Sequence, residues 1–176
     1  AALYYKGHLN PVDLSAYYFY KNYFKNATAP DAETHVVGAR ANVALPGNDF
    51  HFISEFAYQF GKVGNNDRRS WGGYSRLEYN IGRYLYVLDQ LSIGGIYLSG
   101  DDPSTPTVEG FDPMWNRWTP WGESYIYTLG AETGKISYWS NIGSINAGFK
   151  ATLAPNVHLN ANYMHLMAMQ LHPGSA

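Results

Sequence analysis

Short turn signals alternate with long polar connections along this chain, and that alternation is what most constrains its fold. Asn10-Pro11, Pro46-Gly47-Asn48-Asp49, a tight break within 81–90 and Pro155-Asn156 each join two runs of alternating apolar and polar residues. Between them fall the longer stretches Lys25–Glu33, Gly64–Ser70 and Ser99–Asn141. A soluble sandwich has no reason to keep every second connection minimal. A barrel in an outer membrane does, because its periplasmic turns are short and its extracellular loops long. The pattern predicts an all-β antiparallel transmembrane meander, one barrel segment over residues 1–176, with 99–141 as a long extracellular loop.

Successive side chains of a strand point to opposite faces, so each run sorts into two sets. In Val12–Lys21, Val12, Leu14, Ala16, Tyr18 and Tyr20 oppose Asp13, Ser15, Tyr17, Phe19 and Lys21. Thr34–Leu45 sets Val37, Ala39, Ala41 and Val43 against Thr34, Gly38, Arg40 and Asn42. The same rule puts Phe50, Phe52, Phe56, Tyr58 and Phe60 opposite His51, Glu55, Ala57 and Gln59. It puts Ser75, Leu77 and Tyr79 opposite Tyr74, Arg76, Glu78 and Asn80. Ile145, Ala147, Phe149 and Ala151 oppose Asn146, Gly148 and Lys150, and Val157, Leu159, Ala161 and Tyr163 oppose His158, Asn160 and Asn162. Lys6 and His8 mark the polar side of the opening run, while Ser92–Gly100 is strand-like with both sets mixed. Counting these runs predicts about eight strands, near the ~10 residues a tilted membrane strand requires. Aromatics at predicted strand ends (Tyr4, Tyr5, Tyr23, Trp71, Tyr84, Tyr86 and Trp139) suit an interfacial girdle.

Composition permits this reading without forcing it. Aromatics make up 16% of residues, yet mean hydropathy is only −0.32, as expected when one strand face meets lipid and the other water. No window approaches the ~18 apolar residues of a membrane helix. The absence of cysteine excludes disulfides and thiolate metal sites. A net charge of −2 lacks the basic balance of a nucleic-acid binder. The tail from Gln170 reads as loop rather than as a finished strand, so the chain is expected to be a segment of a longer protein.

The charges are not evenly spread. Lys6, Lys21, Arg40, Arg76 and Lys150 fall in the polar sets, against Asp13, Glu55 and Glu78. The acids Asp31, Glu33, Asp67, Asp101, Asp102, Glu109, Asp112, Glu123 and Glu132 fall in the long connections. A wall with surplus cations favours anions, and Arg40 and Arg76, expected on neighbouring strands, are the leading pore-lining candidates. Cross-strand pairing offers a structural alternative: Arg40 with Glu55, and Arg76 with Glu78 or Glu55.

Thr34-His35-Val36-Val37-Gly38-Ala39-Arg40, running on to Phe56-Ala57-Tyr58-Gln59-Phe60-Gly61, resembles the alginate-export family of outer-membrane barrels. Tyr97-Leu98-Ser99-Gly100-Asp101 with the later Phe111-Asp112-Pro113 extends the likeness, as do Trp121-Gly122-Glu123 and Tyr138-Trp139-Ser140-Asn141. The resemblance implies a barrel of about eighteen strands, of which this chain would supply roughly the C-terminal half. It also implies a bacterial outer-membrane pore for an anionic polysaccharide or smaller anionic solute, with Arg40 and Arg76, then Lys21 and Lys150, as polyanion contacts. Glu55 and Glu78 on the same wall dilute that field. The implied partners are outer-membrane lipid, the anionic solute and a periplasmic or surface protein.

Other chemistry finds little support. The six histidines stand singly, without metal-ligand spacing, and no G-x-S-x-G occurs. No enzymatic activity, metal or cofactor is expected, although a barrel enzyme and a non-transporting structural or adhesive barrel remain the competing classes. Trp115, Arg117, Trp118 and Trp121 suit either sugar stacking with carboxylate pairing or an inward-folded constriction. Asp101, Asp102 and Asp112 are oxygen donors of a kind too common in loops to define a cation site.

Overall fold

The computed structural model describes residues 1–25, 30–45, 47, 49–82, 87–114 and 140–170. Period-two alternation does what the sequence predicts. Eight strands form, β1 (Ala2–Leu9), β2 (Val12–Tyr23), β3 (Ala32–Ala44), β4 (Phe50–Val63), β5 (Asn66–Asn80), β6 (Leu88–Leu98), β7 (Ile142–Ala154) and β8 (Val157–Ala168). They make one sheet in sequence order, every neighbour antiparallel. The sheet is not closed on itself: β1 and β8 are its edges. No helix among the described residues is long and apolar enough to cross a membrane.

Register fixes the faces. The pairings Tyr18↔Val37↔Tyr58↔Trp71 carry one set of side chains across four strands. This face is a continuous apolar surface that includes Val37, Phe52, Phe56, Trp71, Ile93, Ile145 and Tyr163, all exposed. A soluble fold would not leave so much apolar area uncovered, whereas lipid would cover it. Near one end of the strands, aromatic groups cluster on this face. His35 stacks on Phe60 at 5.0 Å and bonds the Tyr18 hydroxyl at 2.7 Å, and Trp71 stacks on Tyr97 at 4.2 Å.

Three expectations about the elements need correction. The stretch Gly64–Ser70 is not a long connection: β5 begins at Asn66, so only Gly64 and Asn65 link β4 to β5. Glu33 and Asp67 are strand residues, and both are register partners of Lys62. Tyr4 and Tyr23 are not girdle residues, because Tyr4 pairs with Tyr17 and Tyr23 lies in phase with Lys21 on the polar face. The first error has a physical cause. Asn66, Asp67, Arg68 and Arg69 are all polar, so apolar alternation stops there while the ladder continues. The mixed run Ser92–Gly100 also resolves: Ser92, Gly94, Ile96 and Leu98 share the face of Glu78, Arg76, Tyr74 and Gly72. Tyr84, Tyr86 and Trp139 lie outside the described residues.

What core there is lies on the polar face at the long-loop end. Leu98 is buried among Ile96, Ile142, Met164, Leu166 and Phe111, the last contributed by the long connection after β6. Gly72 makes room for this contact, since a Cβ there would run into Leu98 and Phe111.

Candidate functional site

The polar face gathers Lys21 from β2, Arg40 from β3, Glu55 from β4, Arg76 and Glu78 from β5, and Lys150 from β7. Strand β5 adds a cation that the sequence reading left in a loop, Arg68, whose register partner is Gly61. Arg40 and Arg76 share the wall but are not on neighbouring strands, because β4 runs between β3 and β5.

Arg40 and Glu55 are direct register partners, yet among the described residues no carboxylate lies within ion-pair distance of Arg40. Glu55 instead accepts a hydrogen bond from the Tyr17 hydroxyl at 2.7 Å. Tyr17 reaches it from β2 by lying across β3, over Gly38. A Cβ at Gly38 would run into the Tyr17 ring, so glycine here lets the ring lie across the strand. The exposed Arg40 guanidinium is thereby left facing the open side of the sheet.

Arg76 behaves differently. Its Nε donates to Glu78 at 2.9 Å, and the half-buried His51 sits 3.3 Å from the same carboxylate. The other nitrogen of His51 meets the Asn42 side chain, and Gln90 donates to Glu78 at 3.4 Å and to Asn80 at 2.9 Å. Arg76 thus belongs to a local polar network that neutralises part of its charge. Lys150 is exposed, opposite Gln90 and Asn160.

Lys21 and Arg68 hold a different object: the connection after β6. Residues 99–114 turn back over the polar face, where the Val108 amide donates to the Asp67 carbonyl at 2.8 Å and Arg69 N–H to the Val108 carbonyl at 3.0 Å. Arg68 donates to the Gly110 carbonyl at 3.3 Å, and Lys21 Nζ to the Met114 carbonyl at 2.6 Å. Between them Gln59, 1% exposed, grips Asp112 twice, donating to its carbonyl at 2.7 Å and accepting from its amide at 2.8 Å. Ser70, fully buried, steadies the Gln59 carbonyl oxygen at 2.8 Å. The result is a strap fixed to β2, β4 and β5. Its aspartates are used within the strap. Asp101 accepts from the Glu109 amide, Asp102 from the Ser104 amide and hydroxyl, and Asp112 from the Met114 amide. The Ser104 bonds hold the exposed Asp102 carboxyl below its ordinary range. No cluster able to hold a metal ion occurs among the described residues. Trp115, Arg117, Trp118 and Trp121 lie outside them.

A family model described as alginate export matches residues 1–167. The chain belongs to the alginate-export family. No curated protein and no solved structure matches it. The family is one of outer-membrane export proteins, which agrees with the apolar outer face and the polar opposite face of this alginate-export sheet.

Sequence reasoning put Lys21, Arg40, Glu55, Arg76, Glu78 and Lys150 in one polar set, and the register places them on one face of the sheet. It missed Arg68, Gln59 and Ser70 as anchors of the strap. A signal was present for Gln59 and Ser70: each is a polar residue in phase with buried small residues of its strand. Their partners are backbone groups far along the chain, which no motif marks.

Proposed function

We propose that this chain forms part of the wall of a bacterial outer-membrane channel that passes an anionic polysaccharide or smaller anionic solutes. The apolar face would meet lipid, the polar face would line the lumen, and the strap of residues 99–114 would narrow the mouth on the extracellular side. The observation that carries the reading is Arg40 at mid-wall, with no carboxylate at ion-pair distance among the described residues, within a face where Lys6, Lys21, Arg40, Arg68, Arg76 and Lys150 outnumber Asp13, Glu55 and Glu78. Cations along a confined lumen raise the local potential and favour anions. In this reading the wall performs no catalysis.

Reversal potentials of the full-length protein in a salt gradient test the proposal. Arg40→Gln should move them toward cation preference while single-channel conductance stays within about two-fold, since lumenal positions tolerate polar replacement. Unchanged selectivity would remove Arg40 from the selecting wall. Absence of channels would favour a closed structural barrel.

A further inference from the structure

A buried donor without an acceptor is costly and rare, yet two stand on one register row beneath the strap. Thr34 on β3 is fully buried, and its hydroxyl has no hydrogen-bond partner. Arg68 on β5 is 9% exposed; a terminal nitrogen donates to the Gly110 carbonyl, but its Nε has no partner. Both are register partners of Gly61 on β4, so the two side chains flank a position that carries none. The gap is two strand spacings, about 9.5 Å. The row continues to Lys21, the register partner of Thr34. Its amine donates to the Met114 carbonyl and lies close enough for the charges of Arg68 and Asp112 to act on it. Asp112 gives a carboxylate oxygen to the Met114 amide. No carboxylate among the described residues lies within ion-pair distance of Arg68. Gln59 and Ser70, next along β4 and β5 on this face, are spent on each other and on Asp112.

We infer that the Thr34 hydroxyl and the Arg68 Nε–H are the two arms of a closed binding site for a small monovalent anion, of the size of chloride, seated over Gly61 beneath the strap. An anion supplies the acceptor that both groups lack, and the guanidinium gives the site its sign. The seat is too enclosed for a sugar. Thr34, Gln59 and Ser70 around it are each 1% exposed or less, so a saccharide carboxylate cannot enter while the strap is down. Arg68 then has two tasks, holding the anion by Nε and the Gly110 carbonyl by a terminal nitrogen. The anion joins β3 and β5 to the strap they carry, and attachment of the strap becomes dependent on it. This inference needs the strap but not the channel reading, and its test is separable from ion selectivity.

The test uses the full-length protein folded in detergent, with chloride as the probe. Gluconate, a sugar carboxylate too bulky for the seat, replaces it at constant ionic strength. Hydrogen exchange is followed at the Val108 and Asp112 amides, which the strap donates to β5 and β4. It should slow saturably with chloride, about ten-fold at ten times the midpoint concentration. A ligand that binds only the closed strap scales opening by one plus its concentration over Kd. The chloride NMR line should broaden over the same range. Both effects should vanish in Thr34→Val, which keeps the shape and loses the hydroxyl, and in Arg68→Lys, which keeps the charge and loses Nε. Both should remain in Arg40→Gln, whose exposed guanidinium belongs to the open wall. Equal exchange in the two salts would mean that water, which does not respond to the salt, fills the seat, and overturns the site. Chloride dependence undiminished in either the valine or the lysine variant overturns it as well, so one folded variant suffices.

Discussion

Tyr17 and Glu55 are joined across an intervening strand by a 2.7 Å hydrogen bond, which engages the carboxylate opposite Arg40. Glu55 lies in register between Arg40 on β3 and Tyr74 on β5. A phenol that takes up a carboxylate leaves a guanidinium available. Tyr17→Phe should therefore release Glu55 toward Arg40 and weaken anion preference, although the substitution touches no charge. Measured reversal potentials should shift in the same direction as in Arg40→Gln. No shift in Tyr17→Phe would mean that the bond does not govern Arg40.

Arg76 should matter less than Arg40. Its partner Glu78, 2.9 Å away, already offsets its field. Arg76→Gln is expected to move the reversal potential by less than half the change seen for Arg40→Gln. Glu78→Gln should strengthen anion preference, because it frees Arg76. Equal effects of the two arginine substitutions would refute the pairing as an electrostatic filter.

The strap should loosen when Gln59 is cut back. Gln59→Ala removes both bonds to Asp112 and strands the buried Ser70 hydroxyl, a cost of roughly 1–3 kcal/mol for groups left unsatisfied. The Asp112 amide loses its acceptor, so its hydrogen exchange should accelerate at least ten-fold, while amides at the centre of β3 keep their protection. Uniform acceleration throughout the sheet would point instead to global destabilisation.

Gly61 is placed where no side chain fits. Its φ of +143° is one that other residues rarely adopt, and a Cβ would collide with the Glu33 carbonyl. Gly61→Ala is predicted to lower the stability of the folded barrel by about 1–3 kcal/mol, read from the urea midpoint in lipid vesicles. A midpoint within error of the unmodified protein would show that β3 shifts aside without cost.

Most of the sheet was legible because an apolar face opposite a polar face imposes a period of two, which fixes face and register together. Val37, Ala39 and Val43 announced the apolar face and Arg40 and Asn42 the polar one. Legibility failed where that contrast ends. Asn66, Asp67, Arg68 and Arg69 read as loop because they stand where both faces are polar, yet their backbones remain paired. It failed again where a residue has a choice of partners. Spacing alone allows Arg40 to pair with Glu55, but Glu55 instead takes a hydrogen bond from Tyr17 reaching over Gly38. The anchoring by Lys21 and Arg68 was invisible for a third reason: a carbonyl oxygen is present at every position and leaves no trace in the sequence.

That last point bears on how such a protein can diversify. The hydrogen bonds by which Lys21, Arg68 and Gln59 grasp Met114, Gly110 and Asp112 go to backbone atoms. The clasp is thus largely indifferent to which side chains the held residues carry. Substitutions in this part of the loop could alter what is presented to a passing solute without moving the loop, while changes to the clasp would move the loop without altering its chemistry. Position and selectivity at the mouth can be inherited separately.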